Sequence, residues 1–277
     1  MTIATLPQLK MCQAAGCTNI ATGIGSKRCF EHDTHRAMKA YSSAPKPPKH
    51  AKSNYVGVEL ECFHPSTFYK VTHVAKYVCR DGSLPANGGE IKLCSQEKKI
   101  ENDAADVAQR AALVGNKTNK KCGFHIHLSL PGWRRQDSLT VLNGMTNLAN
   151  LFIKLQDQIF ELMPPSRRDN MYCRKINNYH NLTNHYSWAS LSSKYDTLEI
   201  RVHGATLNPW KVKGWISAVT QLHPIILAAI KDSTEWHESY KKLENVFQVL
   251  DPNTIGYKYL QARKNSNGTL TAFGFPQ

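Results

Sequence analysis

No stretch of this 277-residue sequence is apolar for long enough to cross a bilayer; the longest run, Ile225 to Ile230, falls far short of a membrane span. Met1 to Met11 lacks the continuous apolar centre and charged flanks of a secretory leader, so the expectation is a soluble, cytoplasmic protein with no membrane partner. No internal repeat is present, which excludes an array of stacked units. Acidic residues are scarce: 21 Asp and Glu face 35 Lys and Arg, a net charge of +14. Residues 1–54 alone hold eight Lys and Arg against two Asp and Glu. Such a surplus suits polyanions, whether nucleic acid, nucleotide phosphates or an acidic substrate.

What is present is an ordinary complement of aliphatic and aromatic residues, enough for one large domain or one domain with a small appendage. A chain of this size buries roughly 70–75% of its unfolded surface. Eight cysteines would form a disulfide framework only in a secreted chain, and nothing marks this one as secreted. Five of them, Cys62, Cys79, Cys94, Cys122 and Cys173, lie scattered in apolar contexts and are expected to be buried thiols. The other three follow a spacing of their own, Cys12-x4-Cys17-x11-Cys29-x2-His32. Three thiolates and an imidazole fill a tetrahedral zinc site, so this Zn2+ is read as structural rather than catalytic. Gly16, Gly23 and Gly25 supply the tight turns, and His35 is a substitute ligand. A segment this short cannot form a core, so the metal would supply its folding energy. The pattern resembles small zinc knuckles that accompany phage-type homing endonucleases.

Pro45, Pro47 and Pro48 interleave with Lys46, Lys49 and Lys52, which marks a semi-rigid spacer. The expected organisation is a zinc module over 1–40, a Pro/Lys-rich linker over 41–53 and a catalytic domain over 54–277. Within the last, apolar periodicity predicts helices over Glu97 to Val114, with Gly115 as C-cap, and over Asp137 to Met163, where Leu139, Leu142, Leu148, Phe152, Leu155, Ile159 and Leu162 form a stripe ended by Pro164-Pro165. A third runs from Trp210 to about Ile230 and is bent or divided at Pro224, and shorter helices cover His237 to Leu250 and Ile255 to Arg263.

Four segments alternate apolar with charged or metal-capable residues: Val56 to Glu61, Gly89 to Leu93, Cys122 to Leu128 and Thr197 to Val202. A strand sends successive side chains to opposite faces, so each segment has one apolar and one charged face. Paired in one sheet, they bring Glu59, Glu61, Glu90, His125, His127, Glu199 and Arg201 to a single surface. Four acids on one face repel one another, and divalent cations make such a cluster tolerable. The expected fold class is α+β, a curved antiparallel sheet with helices packed on one face and the charged face uncovered.

Gly57-Val58-Glu59-Leu60-Glu61, Asp81-Gly82-Ser83-Leu84 followed by Gly89-Glu90, Cys122-Gly123-Phe124-His125-Ile126-His127, and Leu198-Glu199-Ile200-Arg201 with Gly204-Ala205-Thr206-Leu207 resemble, in that order, the amidoligase family of the glutamine synthetase-like carboxylate–amine ligases. The resemblance runs from about residue 54 to 220. It implies a concave face on which two or three Mg2+ or Mn2+ ions bridge the phosphates of ATP. Glu59 and Glu61 would each serve a different ion, Glu90 would complete one site, and Glu199 with His125 or His127, His125 favoured, would complete the other. Arg201 would offset charge on the transferred phosphoryl group or hold the substrate carboxylate. Asp81 would orient a substrate group or a metal water, and Lys92 would contact phosphate or balance charge. Ser166 to Lys175 resembles the family's loop near the nucleotide, which makes Arg167, Arg168 and Arg174 candidates for phosphate and adenine contacts. Two departures stand out: Ser190 occupies a position where relatives carry Asn, and no Ser-Pro follows Glu90. The implied reaction joins a carboxylate to an amine of unknown identity through an acyl phosphate. Carboxylate oxygens suit Mg2+ or Mn2+ better than zinc, and the imidazoles tilt the choice toward Mn2+. The alternative is a metal-dependent nuclease or nucleic-acid-binding protein that uses the zinc knuckle and the basic surface.

Overall fold

All four alternating segments become strands of one sheet in the computed structural model, which describes residues 55–268 except 68–70, 72–73, 76–77, 134–135, 169, 193–195 and 232–233. The expected zinc module with Cys12, Cys17, Cys29 and His32, and the linker, lie outside the described residues. The strands are β1 (Tyr55–Phe63), β2 (Val78–Cys79), β3 (Gly88–Gln96), β4 (Gly123–Ser129), β5 (Ala189–Ser192) and β6 (Thr197–Gly204). They lie in the order β2-β3-β1-β4-β6-β5, and each neighbouring pair is antiparallel.

The period of two sorts the side chains as the sequence predicts. Val56, Val58, Leu60, Ile91, Phe124, Ile126, Leu128, Leu198 and Ile200 are buried in one apolar core. Helices α1 (Glu97–Leu113) and α4 (Pro209–Gln221) lie against that face, where α1 contacts β1 and β3 and α4 contacts β4. Helix α2 (Ser138–Glu161) packs on α5 (His223–Lys231), and α7 (Ile255–Asn265) packs on α4. Two further helices are the four-residue α3 (Pro165–Arg168) and α6 (Thr234–Lys242). The architecture is a mixed α+β fold with an open antiparallel sheet. No helix among the described residues is long and apolar enough to cross a membrane.

Local chemistry sets the helix ends. Asp137 caps α2 by accepting from the N–H groups of Leu139 (3.1 Å) and Thr140 (3.0 Å). Gly115, at φ +87°, follows α1 in the left-handed conformation that lets a helix stop. Pro224 falls in the first turn of α5, so it divides the predicted third helix, and His223 there ties three elements. Its ring nitrogens lie 2.6 Å from Glu97 Oε1 on α1 and 2.7 Å from the Ser129 carbonyl on β4.

Three expectations change. Leu139 and Leu142 are exposed rather than on the buried stripe. They precede Gly144, where a Cβ would meet the Ile230 carbonyl at 2.7 Å and where close helix contact begins. The helix expected over His237 to Leu250 breaks after Lys242 and resumes as a 3-10 turn over Val246–Val249. There the amide oxygen of Gln248 takes the N–H groups of Glu244 (2.6 Å) and Asn245 (3.1 Å), and that of Gln158 takes Val246 N–H (3.0 Å), so helical hydrogen bonding cannot continue. Of the five scattered cysteines, Cys62, Cys122 and Cys173 are buried, while Cys79 and Cys94 are only half-buried because they stand on the charged face.

A bulge between β4 and β6 has a separate consequence. Strict alternation would carry His203 to the charged face with Glu199 and Arg201. Instead Phe124 pairs with His203 while Ile126 pairs with Ile200, so one extra residue on β6 turns His203 into the core. There it stacks on Trp215 at 5.0 Å, and Nε2 accepts from the Tyr259 hydroxyl (2.5 Å), which in turn accepts from Arg263 (2.7 Å). Burial, and then the Arg263 charge, hold the ring neutral well below the usual histidine range. The unfolded chain therefore takes up a proton below about pH 6.5 that the fold refuses, and stability falls with pH by about 1.4 kcal/mol per unit from this group. Thermal midpoints between pH 7.5 and 5.5 are expected to drop less steeply for His203→Phe than for the wild type; equal slopes would exclude this origin.

Candidate active site

Register places the predicted residues in rows across the sheet. One row reads Cys94, Gly57, His127, Glu199 and Ser190 from β3 through β1, β4 and β6 to β5. The next holds Lys92, Glu59 and His125, and the third holds Cys79, Glu90 and Glu61. Glu59, Glu61, Glu90, His125, His127, Glu199 and Arg201 thus share one face, as expected. The face is far more enclosed than an open surface: Glu61, Glu90, His125, Glu199 and Arg201 are each 5–8% exposed.

Two glycines make room for the imidazoles. A Cβ at Gly57 would meet His127 Cβ at 3.2 Å, and one at Gly123 would run into the His125 ring. The main chain of Gly123 also fixes a carboxylate, since its N–H donates to Glu61 Oε2 (2.6 Å). His125 Nδ1 lies 3.4 Å from Glu59 Oε2 and 3.3 Å from Glu199 Oε1. His127 is aimed by its other nitrogen, with Nδ1 3.3 Å from the Thr197 hydroxyl. That leaves His127 Nε2 buried without a hydrogen-bond partner, 3.5 Å from Glu59 Oε2 and 3.9 Å from Glu199 Oε1. A ring held at one nitrogen and bare at the other is how proteins orient a metal-binding histidine.

Three groups of candidate ligands follow: Glu59, His127 and Glu199; Glu59, Glu90 and His125; Glu61, Asp81 and Glu90. Within each group the ligand atoms lie within 4.8 Å of one another. Each imidazole falls in its own group, where sequence reasoning chose between them. Asp81, expected to orient a substrate group or a metal water, stands among ligand atoms; its Oδ1 accepts from Ser83 N–H at 2.7 Å, so the Asp-Gly-Ser turn holds it there.

Charge is balanced unevenly. Burial disfavours charge on Glu59, yet the hydrogen bond from His125 and the nearby His127 imidazole hold its carboxyl far below the usual range. Burial, and then the Glu59 charge, push Glu90 up to about 8. Lys92 bridges the two, with Nζ 2.6 Å from Glu59 Oε1 and 2.6 Å from Glu90 Oε2. Burial lowers the Lys92 pKa, but the charges of Glu90 and Glu59 outweigh it and raise it. Burial works against Glu199 too, and His127, His125 and Arg201 keep it ionised. Arg201 Nη1 donates to Glu199 Oε1 at 2.5 Å, while its Nε is buried and unpartnered.

The three other arginines divide. Arg167 is buried, donates to the Cys122 carbonyl and lies 3.3 Å from where a Gly204 Cβ would stand. Arg168 closes the end of α2, donating to the carbonyls of Met163 (3.0 Å), Glu161 (2.9 Å) and Asn267 (2.7 Å). The structure does not bring Arg168 to the cluster, and main-chain carbonyls, which attract guanidinium at helix C-termini, are the reason. Arg174 is exposed on a loop whose main chain pairs with Tyr186 and Trp188, beside exposed Tyr172 and Tyr186 (ring centroids 5.7 Å apart). Ser190, the departure from Asn, is buried directly opposite Glu199.

Sequence reasoning missed Thr197, Cys79 and the two glycines. Thr197 continues the period of two from Glu199 and could have been included. Cys79, whose Sγ lies 3.9 Å from Glu90 Oε2, sits on a two-residue strand with no readable period.

Against known proteins, a family described as "Putative amidoligase enzyme" matches residues 94–183, about a third of the chain. The matched span includes β4 with His125 and His127 and ends before Glu199. No curated protein matches. The match points to a ligase-type enzyme that forms amide bonds.

Proposed function

We propose that the protein is an ATP-dependent carboxylate–amine ligase of the glutamine synthetase-like superfamily, working in the cytoplasm with Mg2+ or Mn2+. The observation that carries this reading is the convergence of four glutamates, two histidines and Arg201 on one enclosed face, in three overlapping sets of ligand atoms. The buried, unpartnered Nε2 of His127 fits a metal better than any partner present. Mostly carboxylate donors favour hard ions, and Glu59, Glu61, Asp81, Glu90, His125, His127 and Glu199 would hold them. When bound, the ions supply positive charge against the triphosphate oxygens.

The residues then have separable tasks. A substrate carboxylate oxygen attacks the γ-phosphorus, the bond from that phosphorus to the β-bridging oxygen breaks, and ADP leaves. The amine nitrogen next attacks the acyl carbon, the carbon–oxygen bond to phosphate breaks, phosphate departs and the nitrogen gives up a proton. Arg201, held in place by Glu199 with Nε still unpaired, faces the charge that builds on the transferred phosphoryl group or holds the attacking carboxylate. Arg174 stands beside the two exposed tyrosines, a grouping suited to a nucleotide base and its phosphates. The enclosed face keeps water from the activated acyl group.

A second reading rests on the +14 charge and the Cys3His spacing: a structural Zn2+ module over 1–40, joined by the 41–53 linker, delivers the 54–277 catalytic domain to nucleic acid. One experiment separates the readings. With Mn2+ present, saturating ATP analogue at about 100 times its Kd is expected to add about 2.7 kcal/mol, which is roughly 5–10 °C in thermal midpoint for a chain this long. Supplying carboxylate and amine mixtures is expected to release ADP and phosphate. Polynucleotide cleavage with Mn2+ alone and no nucleotide stabilisation would overturn the ligase reading.

A further inference from the structure

Lys92 is placed by the backbone rather than by a flexible excursion. It lies directly opposite Glu59 in the β1–β3 register and two residues from Glu90 on the same face. Both neighbours are therefore within reach of one ammonium, and both are taken, at 2.6 Å each. These two carboxylates are two of the three members of the middle ligand group, which His125 completes. A divalent ion there would sit between the same two carboxylates as the ammonium, one oxygen of each already taken, and two cations confined that closely repel each other. The outer groups are not blocked in this way. Glu59 gives Oε1 to Lys92 and turns Oε2 toward His125 and His127, and Glu90 binds the ammonium through Oε2 alone.

We infer that Lys92 is a resident cation that permanently fills the middle position, so that this face binds two divalent ions, one on either side of it, and excludes a third. The inference rests on the metal-dependent reading above and deepens it. Two catalytic ions would then flank a fixed single charge, which keeps Glu59 and Glu90 from repelling each other when either outer site is empty. The occupancy is built into the chain and needs no third ion from solution.

The test counts Mn2+ bound to the full chain by the loss of the free-ion electron paramagnetic resonance signal; the thiolate-rich N-terminal set has little affinity for this hard ion. The wild type is expected to take up two ions and Lys92→Met three. A wild-type count of three, or of one, overturns the inference, as does a Lys92→Met count that stays at two. A wild-type count of zero overturns it and the metal-dependent reading together, and so is distinguishable from the other failures. Should Lys92→Met not fold, Lys92→Gln removes the charge but keeps a donor for Glu59, and the same counts apply.

Discussion

Glu59→Gln is expected to lower ATP turnover by on the order of 10³ while leaving the protein folded. Glu59 belongs to two of the three ligand groups, more than any acid except Glu90, and only its charge is removed. Its surroundings show how much that charge matters. His125, His127 and Lys92 all direct nitrogens at it, and together they hold it ionised against burial. Gln can still accept from Lys92 through its amide oxygen, so the strand register and the packing of Val58 and Leu60 on the opposite face persist. Its other terminal atom is now an amide donor facing His127 Nε2, where it offers a metal no lone pair and competes for the one on the ring. Steady-state ADP release and the circular dichroism spectrum, measured on the same preparation, check both halves. Turnover within tenfold of the wild type would remove Glu59 from the chemistry and with it the shared-ligand geometry.

The charged face was legible because its signal is short-range and binary. Alternation in Val56 to Glu61 fixes which side each carboxylate takes, and a one-residue error would have put Glu59 and Glu61 in the core. Four such segments needed only pairing in one sheet to assemble the cluster. What escaped depends on events between strands. Gly57 matters because His127 leans in from the neighbouring strand, a contact that Gly57's neighbours in sequence do not reveal, and Gly123 because the His125 ring two residues on lies over it. The bulge that turns His203 inward depends on how β6 registers against β4. Arg167 and Arg168 read as phosphate binders because guanidinium suits phosphate, but it suits the carbonyls at the end of a helix equally well, and Arg168 lies beside such an end. Leu139 and Leu142 follow the helical period and still face solvent, since a periodic pattern says which residues align and not where the partner element begins. Distance along the chain limited most of the reading, and ambiguity of chemistry limited the arginines.

The largest combined loss is expected for Glu199→Gln, which should abolish turnover and also lower the thermal midpoint. Glu199 Oε1 is the meeting point of Arg201 Nη1 at 2.5 Å, His125 Nδ1 at 3.3 Å and His127 Nε2 at 3.9 Å. Neutralising it leaves the Arg201 guanidinium, only 8% exposed, without its carboxylate. Orphaning one partner of a buried ion pair costs about 3–5 kcal/mol, which at roughly 2–4 °C per kcal/mol for a chain of this size lowers the midpoint by roughly 6–20 °C. Turnover and stability can then be told apart by removing the second charge. In Glu199→Gln/Arg201→Met the stranded guanidinium is gone, so most of the lost midpoint should return while ADP release stays absent. Coupling of that sign, recovery of fold without recovery of activity, is what a pair kept for chemistry at a cost in stability must show. A Glu199→Gln midpoint unchanged within a degree, or a double variant less stable than the single one, would mean that Arg201 draws its compensation from elsewhere on the face, and Glu199 would no longer be the residue that holds it.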